Sequence, residues 1–202
     1  MHIVTSPPVP PFLRVAFAPL HGASDAGESD TRATIGGWLS DIPNPDKKDV
    51  YWFAMDVNQT SWLQPLLEQT SRKKRIAALE LLGYSILFLL TARRTESSRM
   101  DIHVPLCTNN EGNAYSASKR SAKKWPCSAL LMELAAQETQ LACYAKIEHV
   151  KRCSNTWADQ LTHLDFDGFM GSRRRDVSSS FEPGWILLPK LLRLHSTISV
   201  KS

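Results

Sequence analysis

The 202-residue chain lacks the features that mark several large classes of protein. Its 9 glycines are too few for a collagen-like sequence. No apolar run reaches the roughly 20 residues that a helix needs to cross a bilayer, so no membrane partner is predicted. The net charge is only +4, and such a mild excess does not by itself indicate a nucleic-acid partner.

Cysteine is also scarce, with four residues in the whole chain: Cys107, Cys127, Cys143 and Cys153. They form no C-x-x-C pair and have no histidine at zinc-finger spacing, so a zinc site is not predicted. Residues 1–12 contain four prolines and no charged start followed by an apolar core, which is not the pattern of a secretory signal. We therefore expect free thiols and an intracellular location, cytoplasmic or nuclear.

The composition is that of a globular domain, with 43% hydrophobic and 22% charged residues. A chain of this length buries roughly 70% of the surface of its unfolded form, which is enough for a full core without disulfides or a metal. Clusters of proline, serine and arginine lie near both ends. We predict an N-terminal tail over residues 1–11, one domain over 12–171 and a poorly packed C-terminal tail over 172–202.

Hydrophobic periodicity predicts alternating strands and helices along the domain. The first strand comes from residues 12–18 or from the segment that enters Asp25, and these two alternatives stay open. The later strands are predicted at 32–39, 49–57, 101–108 and 142–150, and the helices at 76–91, 113–119, 128–139 and 155–164. Three successive strands followed by helix-linked strands predict an α/β fold with a mixed sheet.

Glu80 lies in the most apolar predicted helix, 76–91, beside residues that are themselves apolar. A buried carboxylate is costly unless it has a cation, a hydrogen-bond network or a raised pKa. A structural ion pair at the edge of the sheet would meet that need, and so would a functional site.

Two further acids occupy informative positions. Asp25 lies near the first strand, and Asp159 lies at the start of the last predicted helix, where an acid also complements the helix dipole. If the first and fourth strands are neighbours, these carboxylates converge with Glu80. Such a cluster supplies the hard oxygen ligands that Mg²⁺ prefers.

The chain resembles the ribonuclease H-like domain of retrotransposon reverse transcriptases, nearest to DIRS-type elements that also carry a tyrosine recombinase. The resemblance runs from about Leu13 to Leu191, and no single motif is specific, but seven occur in the expected order. They are Ser24-Asp-Ala26 with Ile35-Gly-Gly-Trp-Leu39, Tyr51-Trp-Phe53, Ile76-Ala-Ala-Leu-Glu-Leu-Leu82, Thr108-Asn-Asn-Glu-Gly-Asn113, Leu130-Leu-Met-Glu-Leu-Ala135, Asn155-x-x-Ala-Asp159-x-Leu161 and Asp165-Phe-x-x-Phe169.

The resemblance implies a five-stranded mixed sheet with helices on both faces and a catalytic site of four carboxylates. Carried over by position, Asp25 would bridge two metal ions, Glu80 would be the helix ligand and Asp159 the last ligand. The third family carboxylate falls on Asn109, which supplies an oxygen but no charge. Two Mg²⁺ ions are expected in an active site of this kind, with Mn²⁺ as a substitute.

The first of these positions has an alternative register, in which Arg14-Val15-Ala16 takes the place of the segment that contains Asp25. The spacing from Asp25 to Gly36-Gly37-Trp38 fits the family's strand-to-hairpin length and favours Asp25. In the alternative register two of the four carboxylates would be missing.

The implied substrate is an RNA–DNA hybrid, which the family binds through its shape and its 2′-hydroxyl groups. Candidate contacts are Asn110 and Asn113, beside the active-site strand, and Lys119 and Arg120, which form a basic cluster with 123–124. Basic clusters also occur at 72–75, 123–124 and 173–175, and they serve equally well as phosphate contacts or as solvated helix ends.

Two functions remain open at this point. The first is a retroelement-derived nuclease domain that hydrolyses the RNA strand of hybrids by two-metal chemistry, impaired by Asn109, with a reverse transcriptase domain as a further partner. The second is an inactive nucleic-acid-binding or structural remnant of a retroelement polyprotein.

Overall fold

The computed structural model describes residues 16–17, 21–68, 71–92, 102–108, 110–151, 154–177 and 184–199. The strands are β1 (Ala16–Phe17), β2 (His21–Glu28), β3 (Ala33–Ser40), β4 (Tyr51–Asp56), β5 (Ile102–Thr108) and β6 (Cys143–His149). The helices are α1 (Gln64–Leu67), α2 (Arg72–Ala92), α3 (Glu111–Ser118), α4 (Cys127–Leu141), α5 (Thr156–Thr162) and α6 (Leu188–Ser199). The predicted N-terminal tail, residues 1–11, lies outside the described residues.

The strands form one mixed sheet. β2, β3 and β4 are antiparallel neighbours, and β5 runs parallel to β2 on one side and to β6 on the other. The short β1 pairs with the start of β5 on the edge that β2 also uses. Since β1 and β2 together fill one position, the sheet has five positions, and the predicted five-stranded mixed α/β sheet is confirmed.

Both candidate segments for the first strand contribute to it. The segment that enters Asp25 forms β2, in the register that pairs Asp25 with Gly36. Of the other segment, 12–18, the structure describes two residues, and both belong to β1. Ala16, the one described residue of the alternative register 14–16, pairs with Ile102 at the far end of β5 from Asp25, which does not fit that register.

Residues of β4 alternate between the two faces of the sheet. Phe53 and Met55 enter the larger core with α2, α4 and α6, whereas Trp52 and Ala54 form a second cluster with Leu161 of α5. Alternation follows from the two-residue period of a strand. Helices therefore cover both faces, as predicted.

Helix α2 runs through the centre of the larger core. It is long and apolar enough to cross a membrane by length and composition, and most of that apolar stretch is buried inside the protein. Gly83 permits its close approach to the sheet, because a Cβ there would lie 2.6 Å from Cγ2 of Ile35. This contact fixes the height at which Glu80, one turn earlier, stands above the sheet.

The close approach of α5 to β3 predicts that Gly36→Ala is destabilising. The added Cβ would lie 2.6 Å from Cβ and 2.8 Å from the carbonyl carbon of Leu161, and overpacking of this kind costs about 1–3 kcal/mol. Urea denaturation would measure the loss. Gly171→Ala is the matched control, because a Cβ there meets nothing within 4 Å, and equal midpoints for both variants would contradict the packing.

The expectation of a poorly packed C-terminal segment is wrong for residues 184–199. Trp185, Leu188 and Leu192 are buried in the larger core. Glu133 of α4 is fully buried, and its carboxylate accepts hydrogen bonds from the backbone N–H groups of residues 186, 187 and 188 at 2.6–2.9 Å. The start of α6 is therefore capped by a side chain 53–55 residues earlier in the sequence.

Candidate carboxylate site

Asp25 is buried in the centre of the sheet, with 4% of its surface exposed. Its strand lies between β3 and β5, and its Oδ1 accepts a hydrogen bond from the N–H of Ala26 at 2.9 Å. The preceding carbonyl, that of Ser24, accepts a hydrogen bond from Nδ2 of Asn155 at 3.2 Å. Because Asn155 is the N-cap residue of α5, this bond ties the start of that helix to the strand of Asp25.

Glu80 is held by two amides from the loop and helix that follow β5. Nδ2 of Asn110 and Nδ2 of Asn113 both donate to its Oε2, the latter at 3.2 Å. Asn113 also donates to the carbonyl of Ala77 at 2.8 Å. The predicted need for partners is therefore met among the described residues by a hydrogen-bond network.

The same two asparagines shape the N-terminus of α3. Asn110 is its N-cap, and its Oδ1 accepts from the N–H of Asn113 at 3.0 Å. Its own N–H donates to the hydroxyl of Thr108 at the end of β5. One short segment therefore ends the strand, begins the helix and orients Glu80.

Asp159 lies in the first turn of α5, and its side chain is 40% exposed. Nε2 of His163, one turn later, lies 3.9 Å from its Oδ2. Asp159 is thus the most solvent-accessible of the three predicted acids, since Asp25 is buried and Glu80 is half-buried.

These three acids, predicted from sequence to converge, line one open cleft of about 750 Å³. We call it the carboxylate cleft, and its wall also includes Glu28, Arg72 and His163. Asn109, the fourth predicted position, lies outside the described residues. Strand β2 and helices α2 and α5 therefore meet at one surface.

The donor chemistry of the cleft fits a divalent cation, since carboxylate oxygens are the ligands that Mg²⁺ prefers. Asp25, Glu80 and Asp159 are the residues that would hold one. Their positions are less favourable than their chemistry, because no group of three His, Cys, Asp or Glu side chains in the described ranges is placed to hold a metal ion.

Cations on the rim already engage one acid of the cleft. Nη2 of Arg75 lies 2.6 Å from Oε1 of Glu28, and Nη2 of Arg72 donates to the Glu28 carbonyl at 2.6 Å. These contacts connect the start of α2 to the end of β2. Glu28 therefore belongs to a structural ion pair at the cleft's edge.

Burial shifts the pKa of three groups in the core near the cleft. It raises the pKa of Tyr84, one turn after Glu80, well above the ordinary value, so its hydroxyl stays neutral at physiological pH. It also raises the pKa of the thiols of Cys107 and Cys127. Nucleophilic thiolate chemistry is thereby disfavoured at both cysteines.

The predicted nucleic-acid contacts have different positions. Arg120 has a structural role instead, because its Nε donates to Glu138 at 2.7 Å and its Nη2 donates to the Ala145 carbonyl at 2.7 Å. Asn113 is 7% exposed and its amide is used internally, so a sugar or phosphate contact is wrong for this side chain. Lys119 is exposed and Asn110 is half-buried, and their contacts stay predictions.

The roles of the two asparagines were missed, although part of the signal was present. Asn110 directly precedes Glu111, and asparagine before a helix with an acidic first turn is a typical N-cap pattern. The bond to Glu80 joins residues 30 positions apart. No local pattern predicts such a pair.

Comparison with known proteins gives structural neighbours only. No family model matches the chain, and no curated protein does. A structure of LC11-RNase H1 in complex with RNA/DNA hybrid is 14% identical, with a TM-score of 0.48, covering 73% of this chain and 96% of that chain. RNase H1 from the halophilic archaeon Halobacterium salinarum NRC-1 is 14% identical, with a TM-score of 0.44 and coverage of 73% and 97%.

A further structure, of LC11-RNase H1 isolated from compost by a metagenomic approach, is 13% identical, with a TM-score of 0.43 and coverage of 73% and 95%. Each of these likenesses concerns the fold. What the carboxylate cleft does has to follow from its own residues.

Proposed function

We propose that this chain is a ribonuclease H-like domain that binds RNA–DNA hybrids at the carboxylate cleft and hydrolyses their RNA strand with the help of divalent cations. The observation that carries the proposal is the meeting of Asp25, Glu80 and Asp159, from three separate elements, in one open cleft. Acids so far apart in sequence have no local structural reason to share a surface.

The three side chains are suited to different tasks. Asp25 is fixed by its strand and by the Ala26 N–H, so it provides a rigid ligand. Glu80 is oriented by two amides, and Asp159 is exposed enough to follow a substrate. A divalent cation, when bound, supplies an activated water and neutralises charge on the phosphate.

The same proposal includes an impaired site. At Asn109 the sequence replaces an expected carboxylate with a neutral amide, so the cleft has one negative charge fewer to hold cations. Loss of such a charge costs several kcal/mol of activation free energy, on the scale of metal-ion stabilisation. Origin in a retroelement polyprotein, beside a reverse transcriptase domain, belongs to the proposal and rests on the sequence motifs.

A second function, binding without cleavage, is favoured by a different observation. Oε2 of Glu80 already accepts two amide hydrogen bonds, and within the ranges that the structure describes no three-ligand metal group is formed. A domain that kept the cleft and lost the chemistry would still recognise a hybrid.

Binding and cleavage of the same labelled hybrid separate the two functions. We expect the chain to bind an RNA–DNA hybrid more tightly than double-stranded DNA, and to cut its RNA strand slowly in Mg²⁺ or Mn²⁺. Slow cleavage that disappears in Asp25→Asn supports the nuclease. Binding with no cleavage supports the second function, and no preference for the hybrid contradicts both.

Glu80→Gln is expected to abolish stabilisation of the protein by Mg²⁺. A cation that binds only the folded state adds about 1.4 kcal/mol when its concentration is about ten times Kd, or roughly 3–5 °C in Tm for a domain of this size. Thermal unfolding with and without Mg²⁺ measures the shift. Glu148→Gln, at an exposed glutamate that does not line the cleft, is the control and keeps the shift; a shift that survives in Glu80→Gln contradicts the assignment.

A further inference from the structure

A second cleft, of about 890 Å³, lies beside the carboxylate cleft and takes no part in the chemistry proposed above. We call it the arginine cleft. Its walls include Arg32, Arg174 and Arg175 together with the aromatic residues Trp62 and Phe166. It holds two acids, Asp56 and Asp176, so basic side chains outnumber acidic ones.

Two of these arginines are held by aromatic rings. The guanidinium carbon of Arg174 lies 5.3 Å from the ring centroids of both Trp52 and Phe166. That of Arg175 lies 4.3 Å from the ring centroid of Tyr51. Both guanidinium groups line the cleft as well as contacting these rings. Cation–π contacts fix a guanidinium while leaving its N–H edge able to donate.

The backbone also fixes this arginine segment in place. Arg174 forms a parallel bridge with Trp52 at the outer edge of the sheet, and the N–H of Arg175 donates to the Trp52 carbonyl at 2.7 Å. The third arginine, Arg32, lies 3.5 Å from Asp56 and has a side chain that is 51% exposed. The cationic groups are therefore preorganised, which lowers the entropy cost of binding an anion.

The two clefts adjoin at two places in the chain. Glu28 lines the carboxylate cleft and Arg32 the arginine cleft, and a turn closed by the Ser29 N–H and the Arg32 carbonyl joins them. At the end of α5, His163 lines the first cleft and Leu164 the second. A bound polymer that extends out of one cleft therefore reaches the other directly.

We propose that the arginine cleft binds the nucleic-acid strand that extends beyond the carboxylate cleft, an inference that rests on the proposed function. The planar forks of Arg174 and Arg175 match phosphate oxygens. The partly exposed ring of Trp62 in the wall of the cleft offers a surface on which an unpaired base stacks. A phosphodiester strand combines both groups at a regular spacing, which a single inorganic anion does not.

The test compares two labelled RNA–DNA hybrids, a blunt-ended one of about 8 base pairs and one of about 20 base pairs with a short single-stranded end, by fluorescence anisotropy with Ca²⁺ in place of Mg²⁺. We expect the wild type to bind the longer hybrid more tightly. In Arg174→Gln/Arg175→Gln we expect roughly tenfold weaker binding of the longer hybrid, and a salt slope smaller by about two, one for each lost phosphate contact. The shorter hybrid should bind both proteins alike.

Two controls keep the outcomes separate. Arg193→Gln removes the same kind of charge from the exposed face of α6 and should leave the binding of both hybrids unchanged. Arg174→Lys/Arg175→Lys keeps the charges and should retain most of the salt slope, which covers the case in which the glutamine variant unfolds.

Unchanged binding of the longer hybrid in both paired variants overturns the inference and leaves the proposed function intact if Glu80→Gln still weakens the shorter one. Failure of the wild type to bind either hybrid overturns the proposed function itself. In a competition experiment, inorganic phosphate could displace the labelled hybrid as well as unlabelled hybrid of the same total charge does. That result would show an anion site without strand recognition, which also overturns the inference.

Discussion

Asn109→Asp is expected to raise the rate of RNA-strand cleavage by roughly 100-fold or more, because in the proposed site it would supply the fourth carboxylate. A tenfold change in rate corresponds to about 1.4 kcal/mol of activation free energy, and a charge that helps to hold metal ions at a reacting phosphate is worth several kcal/mol. Single-turnover cleavage of a labelled RNA–DNA hybrid in Mg²⁺ measures the change.

The gain in cleavage rate should depend on the other acids of the cleft and on where the new charge is placed. Asn109→Asp combined with Glu80→Gln should return to the background rate, since the added charge works only within the cluster. Asn44→Asp adds the same charge at an exposed residue that lines neither cleft and should have no effect. An Asn109→Asp variant no faster than the wild type would mean that the chain is a binding module or lacks a functional site.

Glu133→Ala is expected to lower the free energy of unfolding by about 3 kcal/mol. It removes the acceptor of three backbone N–H groups and of the Gln137 amide, all at 2.6–2.9 Å. A buried donor left without a partner costs about 1–3 kcal/mol. Water that accepts hydrogen bonds from the freed N–H groups at the start of α6 would offset part of this cost.

Chemical denaturation measures this loss, and Glu148→Ala is its control. Glu148 forms an exposed pair with Lys146, with both side chains 51% exposed, and such pairs contribute about 0–1 kcal/mol. Limited proteolysis should cut Glu133→Ala first within residues 184–199. Equal stability of the two variants would contradict the capping role of Glu133.

The order and type of the main elements followed from the sequence because hydrophobic periodicity is a local signal. The predicted strand at 32–39 is observed at Ala33–Ser40, and the helix at 128–139 extends to Cys127–Leu141. The first strand was ambiguous because residues 12–18 and the segment through Asp25 have similar strand character. Pairing with β5 along one edge resolves the ambiguity, and pairing is a tertiary property.

Helix α6 was not predicted, although its pattern is present. Leu188, Leu191 and Leu192 have the three- and four-residue spacing of an amphipathic helix. The arginine and serine clusters before them favoured a tail. What makes the segment part of the core is its docking on α4 through Glu133, a contact that no local pattern contains.

For the site, sequence analysis predicted which acids lie together but not the residues that orient them. Asp25, Glu80 and Asp159 share a cleft because helices α2 and α5 both pack against β2, the strand that carries Asp25. Asn113 was predicted as a contact from its place beside the active-site strand, and Arg120 from its place in a basic cluster. Their side chains turn inward to partners from α2 and from α4, and residue type alone does not reveal that direction.

The most direct measurement is a titration with Mn²⁺ followed by paramagnetic broadening of backbone amide signals. Amides broaden within a short distance of the bound ion, so the pattern locates the site without any need for cleavage. We expect the signals of Asp25, Glu80 and Asp159 to broaden first and together, and the effect to vanish in Glu80→Gln. Broadening confined to other acidic surfaces, such as Asp46 and Asp49, or no broadening at all, would contradict a carboxylate site for divalent cations in this cleft.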